Sequence, residues 1–200
     1  MTRTFAVAVV IMVVAGAVLA RDVVAQKKPH KKEHAAIPKE ELKVLFPAVT
    51  SFSARDCKPS KAQQTAIEQQ VGLKLTDDDL HNKCVVALHK TPEGKTASVG
   101  VAWFTHVEGT KGDLEVGLAL DPQGQVLRVA VYEHQESNAI KGQDFLQQFA
   151  GKSPDDPFRI GQDLQAAAGD ARGSQLAATA FRKAALVIKA TFFEKKAATP

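Results

Sequence analysis

The pattern of apolar and polar positions changes character several times along the chain. From Phe5 to Ala20 the apolar run is unbroken. Residues 27–34, KKPHKKEH, carry no apolar period at all. From Ala35 onward helical and strand-like periods take over. In IPKEELKVLF, Pro38 suits the first turn of a helix, Glu40 and Glu41 sit where the helix dipole favours acids, and Pro47 stops the run. This predicts a short helix over 38–46. In KPSKAQQTAIEQQVGLKL, Ser60 is an N-cap, helix formers continue through Gln70 and Gly72 is the stop, which predicts a second helix.

The middle of the chain reads as strand. CVVALH, ASVGVAWFTHV, LEVGLAL and VLRVAVYEH are four β-rich runs, separated by the turn sequences TPEGK, EGTKG and DPQGQ. Connections this short join neighbours antiparallel. Trp103, Phe104 and Tyr132 lie within these runs and read first as core. After them, GQDFLQQFAGK places Phe145, Leu146 and Phe149 on one helical face and ends at Gly151. The last helix is expected from Leu176 to about Phe193. Its inward residues are Ala177, Phe181, Ala184 and Ile188, with Arg182, Lys183 and Lys189 outward. The fold class that follows is α+β, an antiparallel sheet meander with helices packed on it. No internal repeat is present.

The N-terminal run changes the picture of where the protein works. Arg3 precedes it, and small-x-small sites follow at Val18-Leu19-Ala20 and Val23-Val24-Ala25. That is the pattern of a secretory signal peptide, with Arg21 or Gln26 as the expected first residue after cleavage. Sixteen apolar residues also fall short of the roughly 20 of a membrane span. An uncleaved run would anchor the protein in the membrane instead. The expected organisation is a signal peptide over 1–25, a basic linker over 26–36, an N-terminal helical and first-strand part over 37–97, and the remainder of the domain over 98–193. The expected location is the periplasm or another extracytoplasmic space.

Charge argues against nucleic acid as a partner. Residues 1–34 hold six Lys or Arg and two Asp or Glu, which accounts for the whole net charge of +4 and leaves residues 35–200 formally neutral. A nucleic-acid footprint needs basic residues clustered on the folded surface. Residues 27–34 read as a solvated spacer that could make weak contact with anionic lipid. His30 and His34 have no fixed helical face in that stretch, so no metal site is assigned to them. Cys57 and Cys84 form neither a CxxC nor a CxxCH motif. A disulfide and two buried thiols are both compatible with their spacing, and export with an even count leads us to expect no free thiol in the oxidised protein.

Three segments in order carry a resemblance: VAVYEHQES, NAIKGQDFLQQFAGK, and IGQDLQAAAG followed by a small-residue loop and an alanine-rich helix. Together they resemble the FMN-binding domain of the RnfG and NqrC type, over roughly residues 98–190. The initial LFPAV and the Gln-rich helix after it are similar to the upstream part of RnfG-like proteins. The resemblance implies an exported electron-transfer module holding FMN, with a membrane redox complex or other exported electron carriers as partners. It places His134, Glu136 and Ser137 near the flavin. It also puts the flavin phosphate at the loop and helix start formed by Gly173, Ser174, Gln175, Leu176 and Ala177.

The family's flavinylation loop reads approximately Asp-Ile-Asp-Ala-Val-Ser/Thr-Gly-Ala-Thr-x-Ser/Thr-Ser, its threonine bonding to the FMN phosphate. Aligned from Asp163 the acceptor position falls on Ala171; aligned from the final helix it falls on Gln175, four residues further on. Neither supplies the hydroxyl a phosphoester needs. The resemblance therefore implies noncovalent FMN, its phosphate held by backbone N–H groups at a helix start. Val131, Phe145 and Leu176 are candidate walls for the ring, though each is equally explained as core. The alternative is a cofactor-less binding or structural module on the same scaffold. No Ser-His-Asp order, metal-ligand spacing or paired carboxylates point to a hydrolase, so an electron carrier is a better expectation than a stand-alone enzyme.

Overall fold

Period-two sequence and short turns give a sheet whose spatial order is its chain order. The computed structural model describes residues 39–110 and 112–194. The expected signal peptide and the basic linker lie outside the described residues, which all belong to one unit. Strands β1 (Ser51–Asp56), β2 (Lys83–Lys90), β3 (Thr96–Glu108), β4 (Asp113–Leu120) and β5 (Val126–Val131) pair antiparallel in the order β1-β2-β3-β4-β5. The four strands read from the sequence are β2 to β5. The fifth, β1, was not foreseen, because SFSARD has only two apolar residues and lies half exposed at the sheet edge. The division at 97/98 falls inside β3, so both parts of the domain share one sheet.

Two helices lie between β1 and β2. α2 (Lys61–Val71) begins and ends where the sequence says, with the Ser60 hydroxyl accepting from Gln63 N and Gly72 in the left-handed region at φ 75°. α3 (Asp77–His81) is a single turn not anticipated from the sequence, capped by Thr76. The Cys57–Cys84 disulfide, with Cα atoms 5.1 Å apart, closes the excursion that carries both helices. Neither cysteine is free, as expected.

The two faces of the sheet are covered differently. On one, Trp103, Val101, Val116, Leu118 and Leu120 meet α5 (Ala171–Ile188), whose Ala177, Phe181, Ala184 and Ile188 face inward as predicted. Phe149 anchors this layer, packing edge-on against Phe145, Phe158 and Phe181 at centroid distances of 5.4, 5.5 and 4.8 Å. On the other face α1 (Lys39–Leu45) presses Leu42 and Leu45, followed by Phe46, onto Val85, Ala87, Ala102 and Ala119. Tyr132 ties α1 down by donating to Glu41 O at 2.9 Å. Gly117 is required beneath it, since a Cβ there would meet the Tyr132 ring at 2.9 Å and the Phe104 ring at 3.0 Å.

Three expectations are corrected. The segment after β5 is broken into a 3-10 turn (Asn138–Lys141), the short α4 (Gln143–Leu146) and another 3-10 turn (Gln147–Phe149), although Phe145 and Phe149 do face the core. α5 starts at Ala171, five residues before Leu176, because Asp170 supplies a cap that the sequence reading overlooked, and after Ile188 it runs into a π-helical turn (Lys189–Phe193). Lys183, expected outward, is only 2% exposed.

Candidate functional site

The two segments that the resemblance singles out, 134–137 and 173–177, do come together, and Asp170 joins them. The Asp170 carboxylate N-caps α5, with Oδ1 accepting from Gly173 N at 2.7 Å and Oδ2 accepting from Ser137 N at 3.0 Å. A helix start offers unpaired N–H groups and a positive dipole end, which suits an anion. Here the chain provides that anion itself. A Cβ on Gly173 would clash with Asp170 Oδ2, so the glycine is needed for the carboxylate's approach. Any side chain there displaces the cap, contrary to the idea of an open loop.

The other expected contacts are also engaged internally. Ser174 is fully buried; its hydroxyl donates to Asp170 O at 2.6 Å and accepts from Ala167 N at 2.9 Å. Gln175 Oε1 accepts from Ile160 N at 3.3 Å. Leu176 packs against the core and Ala177 is fully buried within it. Glu136 Oε1 accepts from Thr110 N at 2.8 Å, fastening the β3–β4 turn, and His134 Nδ1 lies 3.0 Å from Glu136 O. The Glu136 side chain thus leads to that turn and His134 bonds locally to the Glu136 carbonyl, while only Ser137 reaches Asp170 at the start of α5. The residues separating the two alignment registers, Ala171 to Gln175, form the first turn of α5. Val131 and Phe145 are core residues.

Asp163, which opens the resembling loop, has a local task. Its carboxylate accepts from Arg159 N at 2.7 Å, Phe158 N at 3.2 Å and Lys152 Nζ at 3.1 Å. These bonds hold Phe158 at φ 48°, an uncommon conformation for a bulky side chain, while its ring enters the core. Burial works to raise the Asp163 pKa, but the two amides and the Lys152 ammonium outweigh it and leave the carboxyl below its ordinary value.

The constellation missed by the sequence reading is a buried ion pair. Lys183 Nζ lies 3.0 and 3.2 Å from the two oxygens of Asp79 and donates to His106 O at 2.8 Å. Thr105 Oγ1 donates to Asp79 Oδ1 at 2.7 Å, and Thr76 N to Oδ2 at 2.9 Å. The side chains are 3% and 2% exposed. Burial lowers the Lys183 pKa and the Asp79 charge opposes that fall. The signal available in the sequence was the spacing Thr76-x-x-Asp79, a capping box whose acid also reaches the core. Lys183 carries no such local mark.

Among the described residues no group of His, Cys, Asp and Glu could hold a metal ion, and no helix is long and apolar enough to cross a membrane. The disulfide is compatible with an exported protein. Neither the protein-family models nor the curated proteins compared with the chain give a match.

Proposed function

We propose that this chain is an exported, cofactor-free binding or structural module, acting in the periplasm or an equivalent extracytoplasmic space on a scaffold like that of the RnfG and NqrC type. One observation carries the reading: the Asp170 carboxylate accepts the Gly173 and Ser137 N–H groups that a flavin phosphate would need. The residues present do not fit FMN at this place. A phosphate would have to displace a carboxylate of like sign, and the neighbouring hydroxyl of Ser174 is buried and already bonded at both ends. The disulfide and the N-terminal apolar run with its small-x-small sites support export.

The experiment is a flavin titration of protein purified after export by its own N-terminal sequence. The expected result is colourless protein that leaves FMN fluorescence unchanged. Asp170→Gly, which opens the helix start, is expected to gain whatever FMN affinity the scaffold retains. Yellow wild-type protein, or saturable FMN binding by it, would overturn the cofactor-free reading.

A further inference from the structure

We infer that the groove between α1 and the β1 edge binds a small carboxylate with an apolar body. This rests on the binding-module reading and gives it a site and a ligand class. The groove lies on the sheet face opposite α5 and has a volume of about 640 Å³. Small-molecule sites span roughly 300 to 1,000 Å³, with apolar walls and a few polar groups that fix orientation.

Its walls follow from strand alternation. Phe52 and Ala54 of β1 pair with Ala87 and Val85 of β2, so their side chains share the face that α1 covers. α1 has only seven residues and, among the described residues, leaves the β1 side of this face uncovered. Leu42, Phe52, Ala54 and Val85 supply the apolar lining. Phe52 and Ala54 stay partly or fully exposed although Val85 beside them is buried.

The charge is one-sided. Lys39, His81 and Lys83 line the groove, and among the described residues no Asp or Glu lines it. Lys83 Nζ holds Asp56 Oδ1 at 2.7 Å, but the side chains are 59% and 87% exposed, so this pair is weak and can be exchanged for a ligand's carboxylate. Thr50 also lines the groove and carries a hydroxyl donor. An apolar trough whose charged described lining residues are basic complements a carboxylate and repels an ammonium of the same shape. The carboxylate would lie at the lysines and the hydrocarbon along Leu42, Phe52 and Val85.

The test is calorimetric titration of the full chain with decanoate below its micelle concentration, with decylamine as the same body bearing the opposite charge. Decanoate is expected to saturate one site, and decylamine to bind at least tenfold more weakly. Lys39→Glu with Lys83→Glu is expected to weaken decanoate at least tenfold. Ala54→Trp, at an exposed strand position, is expected to fill the groove and abolish binding with the melting temperature unchanged. Absence of decanoate binding, equal binding of decylamine, or decanoate affinity untouched by Ala54→Trp would overturn the inference. So would a groove found covered by a second copy of the chain in sedimentation analysis. The flavin titration reports on the other face of the sheet, so the failure of either result is separable from the other.

Discussion

The α5 face of the sheet and the α1 face are built from the same five strands, yet they use their polar groups in opposite ways. On the α5 face charged groups are drawn inward onto partners: Lys183 meets Asp79, Lys152 meets Asp163, and Asp170 closes the start of the helix. On the α1 face a seven-residue helix covers part of the sheet, and the lysines beside the gap are exposed or weakly paired. The first face spends its electrostatics on holding the chain in place, and the second leaves them facing solvent. A chemically suggestive loop on a finished face is therefore weaker grounds for a ligand than a plain groove on an unfinished one.

The largest way to break this contrast is to leave one charge alone on the α5 face. Asp79→Ala strands the Lys183 ammonium in the core and is expected to cost about 3 to 5 kcal/mol, whereas Asp79→Ala with Lys183→Met should recover most of it. Denaturant unfolding of both variants decides the matter; a loss below about 1 kcal/mol in the single variant would show that the pair is not an essential part of that face.

The next effect concerns how Asp79 is delivered. The disulfide encloses the excursion holding α2 and α3 with a sequence separation of 27 residues, for which loop closure predicts about 3.5 kcal/mol. Replacing both cysteines by serine should lower stability by that order, and hydrogen exchange should rise most in α2 and α3. A uniform rise across the sheet would contradict the local role given to the bridge.

The smallest effect is a pH dependence. The Asp163 pKa is lowered in the folded protein, so the folded state holds its proton less tightly than the unfolded chain does. Its contribution is complete above the unfolded value near 3.9 and is lost as pH falls through the folded value. Asp163→Asn should therefore be less stable than the parent at neutral pH and approach it in acid, as read by unfolding at several pH values. A constant difference across that range would remove the carboxylate charge from the account.

How far the sequence could be read depends on the range of the forces involved. α2 was legible to its end residues because Ser60 and Gly72 act within one turn, and β2 to β5 because alternation and turn chemistry are local. β1 was not legible, since SFSARD becomes a strand only by pairing with Lys83–Leu88. The candidate site was legible only as two separate segments that the resemblance marks, and nothing in the loop between them marks Asp170 as the side chain that joins them. Nothing local distinguishes an Asp that caps a helix from one that leaves the place free for a phosphate.

The sequence by itself determined the fold class, the four-strand meander and the cysteines available for a bridge, because these rest on periodicity, turn residues and counting. Only the tertiary structure decided that Lys183 is buried against Asp79, that Asp170 fills the start of α5 and that a groove stays open beside β1. Each depends on which distant residue arrives at a given point: Asp79 and Lys183 are 104 positions apart, and Ser137 and Asp170 are 33. A charge placed outward by helical period is turned inward when the packed chain brings its counter-ion to the same side, and period alone carries no information about that arrival.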